Sequence, residues 1–417
     1  MRVVVIGGGV IGLACGYELR KRGAEVTVLD AREMGAAASW GNAGWIVPSL
    51  SGPVPEPGLT LTALRWLLKP DGPLYIRPRP DPAFVRWLWE FWRRCNARDF
   101  QAGFEAMAGL NRRTMELYDS WRAEGIEFDM QARGLLFVFS TEESLRKHLA
   151  EMAHLEPYGY ARPEARTGDE IRAMEPILSR EVVGGFLVES DRHLQPSSLT
   201  SGLTRRLEAE GAELRPGTAV TGLRRTGAAT GERVAAVTTA RGEVEADAFV
   251  LAAGAWSARL ARNVGFRLPV ESGKGYSFTI RNPDVLPTRP LYLSESKVGI
   301  SPYEGSVRIA GTMELSGLSE TVDERRLGSI RRSVSRFLAS WPQGQDEVRW
   351  AGMRPLTPDG LPAIGRAPNL SNLYVATGHS MLGVTLAPVT GTAVAELICD
   401  GRSQFNLKPF DPARFAA

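Results

Sequence analysis

Cysteine and histidine are scarce. The 417 residues hold three cysteines (Cys15, Cys95, Cys399) and four histidines (His148, His154, His193, His379). The cysteines lie far apart with neither redox nor metal spacing, so they read as thiols of a reducing compartment. The histidines form no ligand cluster, so no metal is expected, and His148 and His154 are assigned to a solvated helix. No run of eighteen apolar residues exists, which excludes a membrane-spanning helix. An excess of one charge is missing too. Lys+Arg total 50 and Asp+Glu 47, a net charge of +3, so nothing points to nucleic acid. Internal repeats are absent. What remains is ordinary for a globular chain, 43% hydrophobic and 23% charged, at a length that suits two domains with ample core.

The most informative stretch comes first. Arg2-Val3-Val4-Val5-Ile6 is a short β-branched run that reads as a buried parallel strand. It leads into Gly7-Gly8-Gly9-Val10-Ile11-Gly12, a G-x-G-x-x-G between a strand and a helix expected over 10–22. Gly7 permits the tight turn, Gly9 lets backbone approach a pyrophosphate, and Gly12 lets the helix pack closely. Amide groups at the helix start, with the helix dipole behind them, favour phosphate charge. A second strand, 25–29, ends at Asp30, placed to accept hydrogen bonds from ribose hydroxyls. An adenine dinucleotide is therefore expected. The same stretch has the outline of a short signal peptide, but the phosphate loop accounts for every glycine, so no cleavage is expected.

Residues 36–44 are small or polar and suit a loop lying against a flat, bulky ligand. Residues 46–82 are rich in proline and glycine, with one short helix over 61–68. A helix over 82–95 combines Phe84, Trp87, Leu88, Trp89, Phe91 and Trp92 with Arg86, Arg93 and Arg94. Aromatic-plus-basic composition marks helices that lie on membranes, but apolar residues on more than one face favour a buried helix roofing the second domain. Helices are expected over 100–124, 141–156 and 324–340, with strands at 134–139 and 184–188. Ser197 or Ser198 is expected to cap a helix ending at Glu210. A strand over 214–223 and a hairpin of 234–239 with 243–246 follow. The runs 248–254 and 373–378 are further buried strands ending in glycine, and a helix is expected over 388–400. Between 270 and 313 the pattern turns antiparallel. The expected architecture is α/β: a discontinuous Rossmann-like domain with an inserted, mixed, largely antiparallel α+β substrate domain. The segments are 1–50, 186–268 and 346–417 for the first, and 51–185 and 269–345 for the second.

Across its whole length the chain resembles the FAD-dependent amine and amino-acid oxidoreductases of the D-amino-acid oxidase type, which include glycine oxidase, sarcosine oxidase and bacterial D-amino-acid dehydrogenases. The resemblance rests on the N-terminal glycines, Asn42-Ala43-Gly44, Ala252-Ala253-Gly254-Ala255-Trp256-Ser257, Gly352-Met353-Arg354-Pro355 with Pro358-Asp359-Gly360-Leu361-Pro362, and Gly378-His379-Ser380-Met381-Leu382-Gly383. Asn42-Ala43-Gly44 and Lys274-Gly275-Tyr276-Ser277 look most like the D-amino-acid dehydrogenase branch. The resemblance implies FAD. It puts Gly7, Gly9, Val10, Ile11 and Gly12 at the pyrophosphate, Asp30, Ala31 and Val220 at the adenosine, and Ala38 and Ser39 on the phosphate and ribityl side. Asn42, Ala43, Gly44 and Trp45 would lie along the isoalloxazine. Gly254 and Trp256 join the cofactor set, as do Gly378, His379, Met381, Leu382, Gly383, Val384 and Thr385 past the pyrimidine edge. Sarcosine oxidase fixes its flavin through a cysteine where this chain has Gly352, so FAD is expected to be non-covalent.

Arg354 stands in the motif that in this family binds the substrate carboxylate, and a planar guanidinium suits that task. A second arginine of some members is replaced by Met381, and a tyrosine by Lys297 or Val298. Tyr276 and Tyr292 are candidates to supply that hydroxyl, and Trp40, Trp45 and Trp66 to form an apolar pocket. The implied reaction is oxidation of a C–N bond: the unprotonated amine loses its α-hydrogen as hydride to flavin N5, and the imine hydrolyses. Three readings stay open. One is a D-amino-acid dehydrogenase of amino-acid catabolism, passing electrons to a quinone or other carrier. Another is an oxidase or dehydrogenase of glycine, sarcosine, proline, hydroxyproline or other secondary amines, with oxygen as acceptor if it is an oxidase. The third is a flavin-binding subunit that depends on a protein partner. A cytoplasmic location is expected, with peripheral contact at the inner membrane face.

Overall fold

The computed structural model describes residues 1–69, 71–227 and 232–416; Pro70, one of the prolines of the 46–82 stretch, lies outside them. Six strands form one sheet in the order Glu213–Arg215, Glu25–Leu29, Arg2–Ile6, Ala248–Leu251, Leu373–Thr377, Ala363–Arg366. All neighbours are parallel except the last pair. Helices Val10–Lys21, Pro196–Ala209 and Gly383–Cys399 cover one face of this sheet. The other face packs against the antiparallel strands Val220–Thr226, Arg233–Thr239 and Gly242–Glu245 and the helix Ser257–Asn263. The parallel strands run out at Gly7, Asp30, Ala252 and Gly378 on one edge, where α/β sheets bind ligands.

A nine-stranded, mostly antiparallel sheet forms the second layer system. From one edge inward its strands are Asp346–Leu356, Glu271–Arg281, Ser306–Leu315, Val298–Tyr303 and Leu291–Leu293. Side chains alternate between faces, and the register sets Trp350, Ser277, Ala310, Gly299 and Tyr292 in one row. Tyr276, Phe278, Ile280 and Ile309 point the other way, into a core with Leu327, Ile330 and Val334 of the helix Glu324–Ser335. The row with Trp350 and Tyr292 is turned toward the 40–45 loop.

Several expectations are corrected. The strand Asp346–Leu356 pairs with Glu271–Arg281 in the large sheet, although its residues were expected in the third nucleotide-binding segment. Gly184–Val188 likewise pairs with Leu135–Phe139, so a boundary at 186 would cut a strand of the large sheet. The helix expected over 100–124 is two helices, Ala97–Asn111 and Thr114–Ala123. The strand expected over 214–223 splits between two sheets, as Glu213–Arg215 and Val220–Thr226. Ser197 and Ser198 do not cap: Pro196 takes the first turn behind Gln195, its missing N–H costing nothing there. His148 is half-buried between Ser144 O and Ser294 Oγ, both at 2.9 Å, and only His154 is exposed. The last helix starts at Gly383, five residues before Pro388. Proline cannot donate to the carbonyl four residues back. The Tyr118 hydroxyl donates to that Val384 oxygen instead, at 2.5 Å. The helix Pro82–Arg94 buries Phe84 and Trp87, while Val85, Trp89 and Trp92 are exposed, so it is no buried roof.

Asp191 sits fully buried beside Ser49, which donates to one carboxyl oxygen, and the other has no partner. Burial pushes its carboxyl up to about 7. The folded chain thus keeps a proton that the unfolded chain sheds above about pH 4, and stability falls as pH rises from 4 to 7 by up to about 4 kcal/mol. Asp191→Asn should therefore gain Tm relative to the parent protein between pH 5 and pH 8 in thermal melts; a pH-independent difference would contradict this.

Candidate active site

The phosphate end of the site is built from backbone. Gly7 has φ 112°, and a Cβ there would lie 2.4 Å from Ala252 O; one on Gly12 would lie 1.8 Å from Gly7 O. The glycines thus bring strand end, helix start and the Ala252 loop together with no side chain between. The helix Val10–Lys21 has no acidic residue in its first turn, so its positive end is left for an anion. Ser39 Oγ accepts from Val10 N at 3.0 Å. Asp30 accepts from Gly8 N (2.7 Å) and Arg32 N (2.8 Å), which fixes the carboxylate at the strand end; burial raises its pKa while those two bonds lower it. Thr218 N donates to Asp30 O at 2.6 Å, two residues before the strand that starts at Val220. Arg32 lies 5.6 Å from the Trp256 ring at the same end, next to the exposed Ala31. Ser257 Oγ and Gly254 O meet at Thr377 Oγ1, at 3.2 and 3.0 Å.

The 40–45 loop is pinned to the large sheet by its carbonyls. Arg308 Nη1 donates to Trp40 O (2.6 Å) and Asn42 O (2.9 Å), and its Nε donates to Thr279 Oγ1 at 3.0 Å. Ser301 Oγ and Tyr303 OH both donate to Ala43 O at 2.7 Å. Gly44, at φ 72°, donates to Asn42 Oδ1 and packs so tightly that a Cβ would lie 1.9 Å from Leu194 O. Trp45 donates through Nε1 to Ser301 Oγ at 2.8 Å, and its ring fills the space a Cβ on Gly299 would take, 2.5 Å away. Thr385 Oγ1, in the first turn of the last helix, bonds Trp45 O (3.0 Å) and Val47 N (3.1 Å). That ties Gly383, Val384 and Thr385 to the loop. Ala38 and Ser39 are half-buried on the way to it.

Arg354 lies on the loop-facing side of the large sheet. Opposite it, two residues, Thr312 and Met313, face Gly275 alone: a β-bulge between Lys274 and Tyr276. The bulge turns Thr312 to φ 60° and aims its carbonyl at Arg354 Nη1, 2.6 Å away. A Cβ on Gly275 would lie 2.3 Å from Arg354 Cζ, so only glycine leaves room for the guanidinium. Burial pushes the guanidinium down to about 10, and it still carries its charge at neutral pH. Among the described residues no carboxylate pairs with it; its bonds go to Thr312 O and, at 3.9 Å, Met313 Sδ. Thr312 Oγ1 and Ser277 Oγ on the two adjoining strands, and Ser380 Oγ on the loop after Gly378, are buried without partners. Ser380 has φ 50° and donates its N–H to Pro355 O at 2.9 Å. Strained φ values and unpartnered hydroxyls on the elements that hold an unpaired cation suit a site built for a ligand.

The two tyrosines part company. The Tyr276 hydroxyl donates to Glu314 Oε2 at 2.6 Å, beside Lys274, on the face away from Arg354, so the structure does not bring it to the site. Tyr292 is on the loop-facing side, its ring 5.7 Å from that of Trp45. Trp40 lies 6.3 Å from Trp350 at the same face, while Trp66 sits on a helix that buries nothing. His379 turns inward to Thr390 Oγ1 at 3.0 Å, with burial pushing it down to about 3, and the Met381 side chain is exposed. Gly378 and Leu382 complete that loop. Arg308 escaped the sequence reading because its partners are carbonyls some 268 residues away, for which no local spacing exists.

These features fit a flavin dinucleotide: side-chain-free backbone at the phosphate end, hydroxyls and a cation at the other. A Cβ on Gly352 would lie 1.9 Å from the Trp350 ring, so no cysteine could stand there to tether it. A family profile described as FAD dependent oxidoreductase matches residues 2–397. The chain is 35% identical to a D-amino acid dehydrogenase of Methylobacterium nodulans and 32% to one of Bradyrhizobium diazoefficiens, covering 100% of this chain and 99% of each relative. It is similar to the solved glycine oxidase of Geobacillus kaustophilus, with a TM-score of 0.76 at 25% identity over 99% of both chains. Arg308→Met should weaken FAD retention about tenfold or more, since two charge-assisted bonds to the loop are lost. Flavin absorbance per mole of purified protein checks this; full occupancy would refute the role given to Arg308.

Proposed function

The chain belongs to the family of FAD-dependent oxidoreductases, and on that premise we propose that it is a D-amino-acid dehydrogenase whose Arg354 binds the substrate carboxylate. The observation that carries the reading is the half-buried guanidinium without a carboxylate partner. Burying a charge is costly unless it is paired, and an α-carboxylate is the pair this site lacks. The names of the relatives at 32–35% identity support D-amino acids as the substrate class.

The bound FAD supplies the two-electron acceptor. The chain's own residues hold it and orient the substrate. Gly7, Gly9, Val10, Ile11 and Gly12 would face the pyrophosphate, and Asp30 with Ala31 and Val220 the adenosine. Asn42 to Trp45, with the helix start at Gly383 to Thr385, would flank the ring. Arg354 fixes the α-carbon, with Tyr292 as a wall of the pocket. Orientation of this kind can offset about 7–11 kcal/mol of a barrier. FAD is bound non-covalently in this reading, and electrons leave to a quinone or other carrier. Arg354→Met should raise KM for D-alanine about 100-fold, near 3 kcal/mol, while FAD stays bound. Steady-state kinetics with an artificial acceptor test it, and an unchanged KM would remove Arg354 from the role.

A quinone acceptor would place the protein at a membrane surface, and a specific surface favours that contact. None of the described helices is long and apolar enough to cross a membrane. The helix Leu59–Leu67 has no buried residue, and Leu61, Leu64 and Leu68 are 66%, 55% and 86% exposed. Residues 59–98 hold eight Lys/Arg and three Asp/Glu, a net +5, against −2 for all remaining residues together. Apolar side chains flanked by excess positive charge suit an anionic lipid surface. The protein should co-sediment with vesicles containing phosphatidylglycerol, and Leu64→Ser with Trp89→Ser should release it; equal recovery with the double variant would exclude this surface.

A further inference from the structure

The residues on either side of Gly275 share one carboxylate, to which neither the cofactor nor the substrate anchor gives a task. Glu314 Oε1 lies 3.1 Å from Lys274 Nζ, and its Oε2 accepts from the Tyr276 hydroxyl at 2.6 Å. Lys274 also donates to Thr321 O at 3.2 Å, and its ammonium lies 5.3 Å from the centre of the Tyr276 ring. The three side chains are withdrawn from water: those of Lys274 and Glu314 are 5% and 7% exposed, and Tyr276 is buried. They stand on the face of the sheet turned away from Arg354.

Their place in the ladder is the β-bulge. One strand runs Lys274-Gly275-Tyr276 there, and its neighbour Thr312-Met313-Glu314. Lys274 pairs with Glu314 and Tyr276 with Gly311, which leaves Thr312 and Met313 opposite Gly275. Glu314 therefore grips both neighbours of the glycine that leaves room for the Arg354 guanidinium. Two residues back along its own strand is Thr312, whose left-handed conformation turns its carbonyl to Arg354 Nη1. A strained residue keeps such a conformation only where its surroundings over-determine it. A buried ion pair is a poor source of stability, since well-packed apolar side chains of similar volume often serve as well or better. What a carboxylate with two fixed partners does supply is position.

We propose that Glu314, held by Lys274 and Tyr276, is a positioning residue for the carboxylate anchor: it locks the bulge that keeps the Thr312 carbonyl on Arg354. This rests on the assignment of Arg354 to the α-carboxylate. The effect crosses the sheet through the backbone, because clamp and guanidinium lie on opposite faces. Without the clamp the bulged strand relaxes, Thr312 O leaves Nη1, and the guanidinium no longer meets a carboxylate squarely. Bidentate pairing depends on that orientation.

Calorimetric titration of the FAD-loaded protein with propionate, which is alanine without its amine, reads the anchor without turnover. Tyr276→Phe removes a single hydroxyl and should weaken propionate binding about fivefold, with flavin content per mole of protein unchanged. Glu314→Gln, which keeps an acceptor for Tyr276 but loses the charge facing Lys274, should act in the same direction. An Arg354→Lys background keeps a cation but has no Nη1 for Thr312 to hold. There Tyr276→Phe should cost less than about twofold, because the two residues act as one unit. Equal losses in both backgrounds would show an effect that bypasses Arg354 and would overturn the proposal. So would unchanged propionate affinity in Tyr276→Phe and Glu314→Gln, even with an earlier melt, since the clamp would then be purely structural. Failure of the anchor itself reads differently: Arg354→Met would then bind propionate as tightly as the parent.

Discussion

A guanidinium partly withdrawn from water without an acid beside it is held in place by the structure around it. At Arg354 that holding falls to the bulge at Thr312, whose carbonyl accepts from Nη1, and to the side-chain-free position at Gly275. The bulge costs a left-handed residue and leaves a buried hydroxyl unpartnered. Such costs persist only where the surroundings over-determine them, here by long strands paired on both sides. The large sheet is thus organised so that the charges of one face are paired within its core, as Lys274 with Glu314, while the other face carries Arg354 and Arg308 without acid partners among the described residues.

The two halves of the site depend on different physics and meet at the 40–45 loop. The phosphate end is a matter of close backbone approach and of an unneutralised helix start. The substrate end is a matter of cations and hydroxyls on a sheet. Arg308, Ser301 and Tyr303 join them by donating to successive loop carbonyls, so the loop's position follows that of the sheet.

Much of this was legible in the sequence where the signal is local. The stretch from Gly7 to Asp30 reads directly, because turn, helix and acid lie within thirty residues and each has one task. Arg354 was singled out through its motif, and the structure puts it on the loop-facing side without an acid partner among the described residues. Tyr276 was not: alternation says that it and Gly275 point to opposite faces, but not which face meets the loop. Helix Gly383–Cys399 was placed too late because Pro388 looks like a start; the Tyr118 hydroxyl that satisfies Val384 O lies 266 residues away. Helix Pro82–Arg94 has an apolar arc wider than half its circumference, and only the packing of Phe84 and Trp87 shows which part of that arc is covered.

The central claim is that an oriented D-amino acid delivers its α-hydrogen to the flavin held between loop and sheet. Anaerobic rapid mixing of the FAD-loaded protein with D-alanine and with L-alanine, followed through the loss of visible flavin absorbance, tests it most directly. The account predicts saturable bleaching by the D-form and at least about a hundredfold slower bleaching by the L-form. Equal rates with the two enantiomers, or bleaching by secondary amines alone, would contradict it.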